Sequence, residues 1–291
     1  VGSKPNQPPL IAIVGETASG KTALAIELAK KLGGEIICAD SRTIYKDMDI
    51  GTAKPDGVEQ AAVPHHLINV VRPDQSFTVA DFKILADDKI REISGRGHIP
   101  FLVGGTGLYV DAVLYNFNFA GTPDLKERQR LQQLSVDELQ AEHVRRGISL
   151  PENAKNPRHL IRSLETGGQK AQNNTLRNNT LVIGLSIDRE ALMQKLKRRV
   201  DTMIDHGFID EVRRLADMYG WDVPAMQAPG YKAFRGYIEG ILTLDEAKAL
   251  FVRNDAQLAK RQRTWFKRNK SIHWIHNSSE AVDIVTTFLN K

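Results

Sequence analysis

The sequence predicts an α/β fold: a parallel sheet with flanking helices, interrupted by an inserted helical subdomain. Three observations carry that prediction. Apolar strand-like runs alternate with amphipathic helical stretches in repeated β-α-β order. A glycine-rich turn, Gly15-Glu16-Thr17-Ala18-Ser19-Gly20-Lys21-Thr22, joins the first run to the first helix. Strand character then stops between Phe119 and Thr180, where charged helical stretches take over, and afterwards resumes.

In chain order, residues 10–14 (Leu-Ile-Ala-Ile-Val) read as a buried strand and 21–32 as the helix that follows the turn. Strands follow at 35–39, 99–103 and 181–185, with helices at 79–93 and 191–206. Within the insertion, 124–134, 136–146 and 157–164 read as helices, and 167–179 as a polar loop rich in Asn and Gln. The expected organisation is a first core segment over 1–118, a helical insertion over 119–180, and core completion with basic C-terminal helices over 181–291.

Composition narrows the class of protein. At 291 residues, 41% hydrophobic and 26% charged, the chain has the balance of a globular enzyme. No apolar stretch approaches the roughly 20 residues that cross a bilayer, which argues against a membrane partner. Cys38 is the single cysteine, so no intramolecular disulfide forms, and no secretion signal is visible; a cytoplasmic location is expected. The net charge of +5 is uneven: residues 1–120 carry −2 and residues 121–291 carry +7. It is steepest at 253–270, where seven Lys and Arg face only Asp255. On a helix Lys260, Arg263 or Thr264, and Lys267 share one side, with Trp265 and Phe266 interleaved. Such a segment is either a solvated basic helix or a surface that tracks a polyphosphate backbone.

The turn at 15–22 fits G-x-x-x-x-G-K-T, the P-loop pattern, in the strand-to-helix context it requires, so the core is expected to be P-loop NTPase-like. Gly15 and Gly20 let the backbone N–H groups of Thr17, Ala18, Ser19 and their neighbours converge on phosphate oxygens. The helix N-terminus and Lys21 add positive charge, and the Thr22 hydroxyl suits a magnesium ion. A pyrophosphate-bearing ligand follows, without its identity.

Three further side chains converge on this loop in such a fold. Asp40 ends the second strand at the carboxyl edge of the sheet, as a magnesium ligand or a general base. Thr106 follows the next strand end, where Gly104-Gly105-Thr106 offers no acidic group to orient a hydrolytic water. Arg199 falls within the apolar stripe Leu192, Leu196, Met203 and therefore needs an anionic partner, either a structural carboxylate or a diphosphate.

These residues stand in blocks that resemble the bacterial tRNA dimethylallyltransferases. The blocks are the phosphate loop, Ala39-Asp40-Ser41 with Ile44-Tyr45, Met48 to Pro55, Pro64-His65-His66-Leu67, Val103 to Tyr109, and Gln257 to Trp265, and the resemblance runs from about Leu10 to Ile275. It implies transfer of a dimethylallyl group from dimethylallyl diphosphate to the exocyclic amine of the adenine just 3′ of the anticodon in tRNA, releasing diphosphate. It implies Asp40 as general base, Thr106 as a hydrogen-bonding partner at the reacting centre, and Lys21, Thr22 and Arg199 as the diphosphate clamp, with Mg2+ sharing the charge. For contact with the tRNA anticodon stem-loop it implies Asp40, Ser41, Arg42, Thr43 and Thr106; Arg128, Arg158, His159, Leu160, Ile161 and Arg162; Gln227, Gly230, Tyr231 and Lys232; and Lys260, Arg261, Gln262, Arg263, Thr264, Trp265 and Lys267. No protein partner is implied.

The chain departs from that pattern at Glu16, where the family usually has proline, at Ala256, where arginine usually precedes Gln257, and at Ala228-Pro229. A relative that prenylates free AMP, ADP or ATP would carry the same catalytic residues. The inserted helices and the 260–270 cations favour RNA over that alternative. A small-molecule kinase lacks support in the missing lid-type arginine cluster, and a noncatalytic RNA binder would not need intact Lys21, Asp40 and Arg199.

Overall fold

The protein is described by a computed structural model that covers residues 7–117, 119, 124–169, 175–275 and 278–290. It divides into two compact units, Val1–Leu114 with Leu176–Lys291, and Tyr115–Thr175. Both boundaries lie N-terminal to the expected 119 and 180. Of the polar loop expected at 167–179, residues 170–174 lie outside the described set.

The first unit is built on a six-stranded, all-parallel sheet in the order β3-β2-β4-β1-β5-β6, formed by β1 (Leu10–Gly15), β2 (Gly34–Cys38), β3 (His65–His66), β4 (Ile99–Gly104), β5 (Thr180–Leu185) and β6 (Ile272–Ile275). The central strand β1, Leu-Ile-Ala-Ile-Val-Gly, is buried along its whole length, which is why it reads as a continuous apolar run and not as an alternation. One face packs on α1 (Lys21–Leu32) through Leu24, Ala25 and Leu28, and on a C-terminal helix (Ser278–Leu289) through Ala281 and Val285. Short α2 (Gly57–Ala62) precedes β3, and α3 (Val79–Gly95) starts at a Thr78/Asp81 capping box and buries Phe82, Ala86, Ile90 and Ile93. The 8-residue α4 (Gly107–Leu114) leaves the end of β4.

After β5 come α8 (Arg189–Asp205), α9 (Phe208–Tyr219), a 3-10 turn (Pro224–Gln227), α10 (Pro229–Ile238) and the 23-residue α11 (Leu244–Phe266). They share a second core around Phe208, Tyr231, Phe234 and Phe251, whose rings meet edge-on or tilted with centroids 5.1–6.2 Å apart. Each such pair adds about 0.5–1.5 kcal/mol beyond burial. The numbers α5 (Leu125–Gln132), α6 (Val136–Arg145) and α7 (Pro157–Glu165) belong to the second unit, which closes on Leu131, Leu139, Leu160, Ile161 and Leu164.

One buried polar group shapes the loop leading from β2. Glu211 of α9 accepts the backbone N–H groups of Asp49, Ile50 and Gly51 at 2.9, 2.9 and 3.0 Å, and the Tyr231 hydroxyl at 2.6 Å. At Gly51 there is no room for a side chain, since a Cβ would lie 2.3 Å from the Phe208 ring. Glu211→Ala leaves three loop amides and a buried phenol without their acceptor and is expected to cost roughly 3 kcal/mol or more, read as a lower urea midpoint. An unchanged midpoint would show that this carboxylate does not hold the loop.

Candidate active site

The phosphate loop takes its shape from backbone that few side chains tolerate. Gly15 has φ 150° and a Cβ there would lie 2.3 Å from the Leu185 carbonyl oxygen; Ala18 and Gly20 have φ 61° and 97°. Gly20 caps α1 without a side-chain bond, leaving the helix N-terminus open to an anion. The Lys21 ammonium donates to the Glu16 carbonyl oxygen at 2.6 Å. Burial pushes its pKa down to about 8; Asp40 opposes the shift and Arg199 reinforces it.

A cavity of about 460 Å3 opens over this loop, lined among others by Thr17, Lys21, Thr22, Asp40, Arg199 and Asp255. Asp40 follows β2, and its Oδ1 accepts the Arg42 N–H at 2.8 Å, which fixes the carboxylate at the sheet edge. Arg199 reaches in from α8, where its Nη1 donates to Thr17 Oγ1 at 2.8 Å while its buried Nε has no partner. Its neighbour Arg198 is exposed. Thr22 contributes a hydroxyl and Asp40 a carboxylate, an all-oxygen donor pair that suits a hard divalent cation beside a bound diphosphate. Thr106 is less free than the sequence suggests. Its Oγ1 accepts the Ser41 N–H at 3.0 Å and meets the Ser41 hydroxyl at 3.3 Å, bracing the β2 and β4 ends together, while Gly104 and Gly105 form the cavity wall.

Helix α11 holds the loop from the far side. Gln262, 8% exposed, accepts the Thr17 N–H at 2.7 Å. Its amide also fills the space beside Gly105, where a Cβ would lie 2.3 Å from Gln262 Nε2. Arg263 grips the buried Glu16 carboxylate through Nε and Nη2, at 3.0 and 2.7 Å, and donates to the Ile187 carbonyl at 2.8 Å. The departure at Glu16 therefore has a structural reading: it ties the loop to α11.

The expected nucleic-acid contacts divide accordingly. Lys260, Arg261, Thr264 and Lys267 are exposed on α11, Lys232 on α10 and Gln227 beside it, while Arg42 is half-buried. Arg263, placed on one face with Lys260 and Lys267 in the sequence reading, is engaged by Glu16, because a buried carboxylate needs a cation more than the solvent-facing helix does. Gln262 faces the loop, and Trp265 donates its Nε1–H to Asp111 at 2.7 Å while packing over Gly107. Thr43 is buried, Gly230 packs against the Phe251 ring, and Tyr231 is fully buried. In the second unit Arg158 and His159 are exposed, Arg128 and Arg162 pair with Glu165 at 3.2 and 3.4 Å, and Leu160 and Ile161 belong to the unit's core. Of these buried positions, Thr43 and Gly230 line the cavity, the Thr43 hydroxyl without a partner, while Tyr231, Leu160 and Ile161 pack into cores.

Among the cavity residues without a role in the sequence reading, two are titratable and buried or unpartnered. His65 donates Nδ1–H to the Val63 carbonyl at 2.8 Å, leaving buried Nε2 unpartnered, and burial lowers its pKa. Asp255 sits on the cavity face of α11, 4% exposed. Only the period of α11 points to it, because it shares a face with Leu258 and Gln262.

A parallel sheet with a phosphate loop, a strand-end carboxylate and an arginine over one cavity defines a P-loop group-transfer enzyme. The family model described as IPP transferase matches residues 43–269, and that described as isopentenyl transferase matches residues 8–64. A tRNA dimethylallyltransferase of Geobacillus thermodenitrificans is 43% identical over 281 residues, covering 91% of this chain and 89% of the relative. The crystal structure of a full-length tRNA isopentenylpyrophosphate transferase from Bacillus halodurans superposes with a TM-score of 0.74 at 39% identity, covering 97% and 95% of the two chains. A eukaryotic dimethylallyltransferase acting on tRNA gives a TM-score of 0.82 at 26% identity, over 97% of this chain and 80% of the other. The chain belongs to the tRNA dimethylallyltransferase family of prenyltransferases.

The depressed Lys21 pKa has a measurable consequence. A bound diphosphate stabilises the ammonium, so inorganic diphosphate should bind tightest below pH 8 and weaken as pH rises past it, with proton uptake on binding above that pH. Calorimetry in buffers of different ionisation enthalpy reads both effects. Lys21→Arg should flatten the profile, and a wild-type affinity independent of pH between 7 and 9.5 (roughly the window around that pKa) would contradict the assignment.

Proposed function

We propose that this enzyme transfers a dimethylallyl group from dimethylallyl diphosphate to the exocyclic amine of the adenine 3′-adjacent to the anticodon in tRNA, releasing diphosphate. The observation that carries the proposal is the sharing of one cavity by the phosphate loop, Arg199 and Asp40. Membership in a family of tRNA prenyltransferases supports the tRNA acceptor and is consistent with a prenyl diphosphate donor.

In this reading Thr17 to Thr22 and Arg199 hold the diphosphate, with Lys21 released from the Glu16 carbonyl to do so. The bond between the allylic carbon and the diphosphate oxygen breaks, and its electron pair leaves with the diphosphate. The amine lone pair forms the new carbon–nitrogen bond, and the amine proton passes to the Asp40 carboxylate. Mg2+ held at Thr22, alongside Asp40, would neutralise diphosphate charge. Thr106, through Ser41, keeps the β2 end and its carboxylate in register. Adenine in a stacked anticodon loop must be splayed out to enter a cavity, so flanking contacts are required. Lys260, Arg261 and Lys267 supply exposed cations for RNA phosphates on α11, and Arg158 and His159 do so on the second unit. A tRNA substrate fits a cytoplasmic enzyme, and no helix among the described residues is long and apolar enough to cross a membrane.

The direct test offers labelled dimethylallyl diphosphate with unmodified tRNA, with its anticodon stem-loop, and with AMP. Label is expected in both RNAs at the adenine 3′ of the anticodon and not in AMP; the reverse pattern would make the chain an adenylate prenyltransferase. Asp40→Ala should lower the single-turnover rate by about a hundred- to ten-thousandfold while leaving tRNA and diphosphate binding much less affected. A near-normal rate would remove Asp40 from the mechanism.

The division of α11 gives a second expectation. Neutralising Lys260 and Lys267 should weaken stem-loop binding and reduce its log–log salt slope by about two, with prenyl diphosphate affinity unchanged. Arg263→Ala should do the opposite, loosening diphosphate binding through Glu16 with little change in salt slope. Identical behaviour of the two variants would contradict the division.

A further inference from the structure

The cavity contains a second carboxylate that the reaction so far leaves idle. Asp255 is 4% exposed, lines the cavity with Lys21, Asp40 and Arg199, and its carboxylate makes no hydrogen bond or ion pair with any described residue. It lies within electrostatic reach of Arg199 and Asp40, the groups that hold the leaving diphosphate and the attacking amine. Burial raises its pKa; Arg199 opposes that shift and Asp40 adds to it.

A carboxylate in such a place is costly to keep without hydrogen-bond donors, and Arg199, the cation within its electrostatic reach, donates to Thr17 and not to it. It must then be matched by charge that arrives with the substrates or develops between them. Diphosphate is an anion and has its own cations. The amine is neutral until it bonds. The one cationic fragment is the allylic group, whose carbon gains positive charge as the carbon–oxygen bond lengthens before the carbon–nitrogen bond is complete. We propose that Asp255 stabilises this developing allylic cation. It exchanges no proton or electron pair: the bonding electrons leave with diphosphate, and the amine proton goes to Asp40. A fixed charge aimed at charge that grows only in the transition state raises the rate without tightening the ground state. This inference rests on the prenyl-transfer reading.

The test is Asp255→Asn, nearly isosteric and neutral, assayed with dimethylallyl diphosphate and an anticodon stem-loop. The single-turnover rate should fall about tenfold or more. KM for the prenyl diphosphate should stay level or fall, because a negative charge near the diphosphate has been removed. The thermal midpoint should hold or rise, since the variant relieves an unpaired buried charge. Asp255→Glu should recover part of the rate. Three results overturn the proposal: an unchanged rate in Asp255→Asn, a rate loss matched by a lowered midpoint, or a loss fully recovered by excess Mg2+, which would make Asp255 a metal ligand. A wild-type enzyme that prenylates no adenine would overturn the functional reading itself, whereas an active wild type with an unaffected Asp255→Asn overturns this inference alone.

Discussion

The site depends on the grip of α11 on the phosphate loop. A P-loop shaped by positive φ at Ala18 and Gly20 has no internal side-chain scaffold, and here its shape is held by Gln262 on the Thr17 amide and by Arg263 on the Glu16 carboxylate. Both partners are long-range in sequence, and both come from adjacent positions on one helix turn. The same helix carries Asp255 one face-repeat earlier and Lys260 and Lys267 on its exposed side. Loop geometry, cavity charge and the solvent-facing cations are therefore set by the placement of a single rigid element.

Charge in the cavity is balanced unevenly. Lys21 and Arg199 line the cavity proposed for the diphosphate with incomplete partners, since Lys21 holds only a carbonyl and Arg199 Nε holds nothing. Asp40 is anchored by one backbone N–H and Asp255 by none. By contrast the buried carboxylate of Glu211 is fully engaged, as is that of Glu35, held to about pKa 2 by His66, His98 and Arg96 against its own burial. Arg199 Nε, His65 Nε2 and Thr43 Oγ1 are left unpartnered at the cavity, where a ligand could complete them, and Ser94 Oγ and His143 Nε2 are unpartnered outside it.

Much of this was legible in the sequence. The long apolar runs of β1, β2, β4 and β5 announce central parallel strands, and the P-loop fixes which strand end carries the ligand. Arg199 could be singled out because a guanidinium in an apolar stripe violates the helical pattern. The edge strands β3 and β6 carry no sequence signal: one is His65-His66 alone, and the other is four residues buried at its two ends only, too short for a period to register. The Glu16 partner of Arg263 is not legible in the sequence, because helical spacing assigns a face but not a partner 247 residues away. Tyr231, Leu160 and Ile161 sit in motifs that suggest contact with RNA and are buried in cores, so those motifs also encode the packing beneath a surface. Asp255 was hidden in a basic run, where one acidic residue reads as charge dilution until the fold turns it inward.

The grip of α11 can be observed at the one atom it acts on. Amide hydrogen exchange at Thr17, measured in the wild type and in Gln262→Ala, reads the bond from that N–H to Gln262 directly. The Thr17 amide should be protected in the wild type and lose protection in the variant, which should bind dimethylallyl diphosphate more weakly with tRNA affinity retained. Equal protection of Thr17 in both proteins, with diphosphate affinity unchanged, would contradict it.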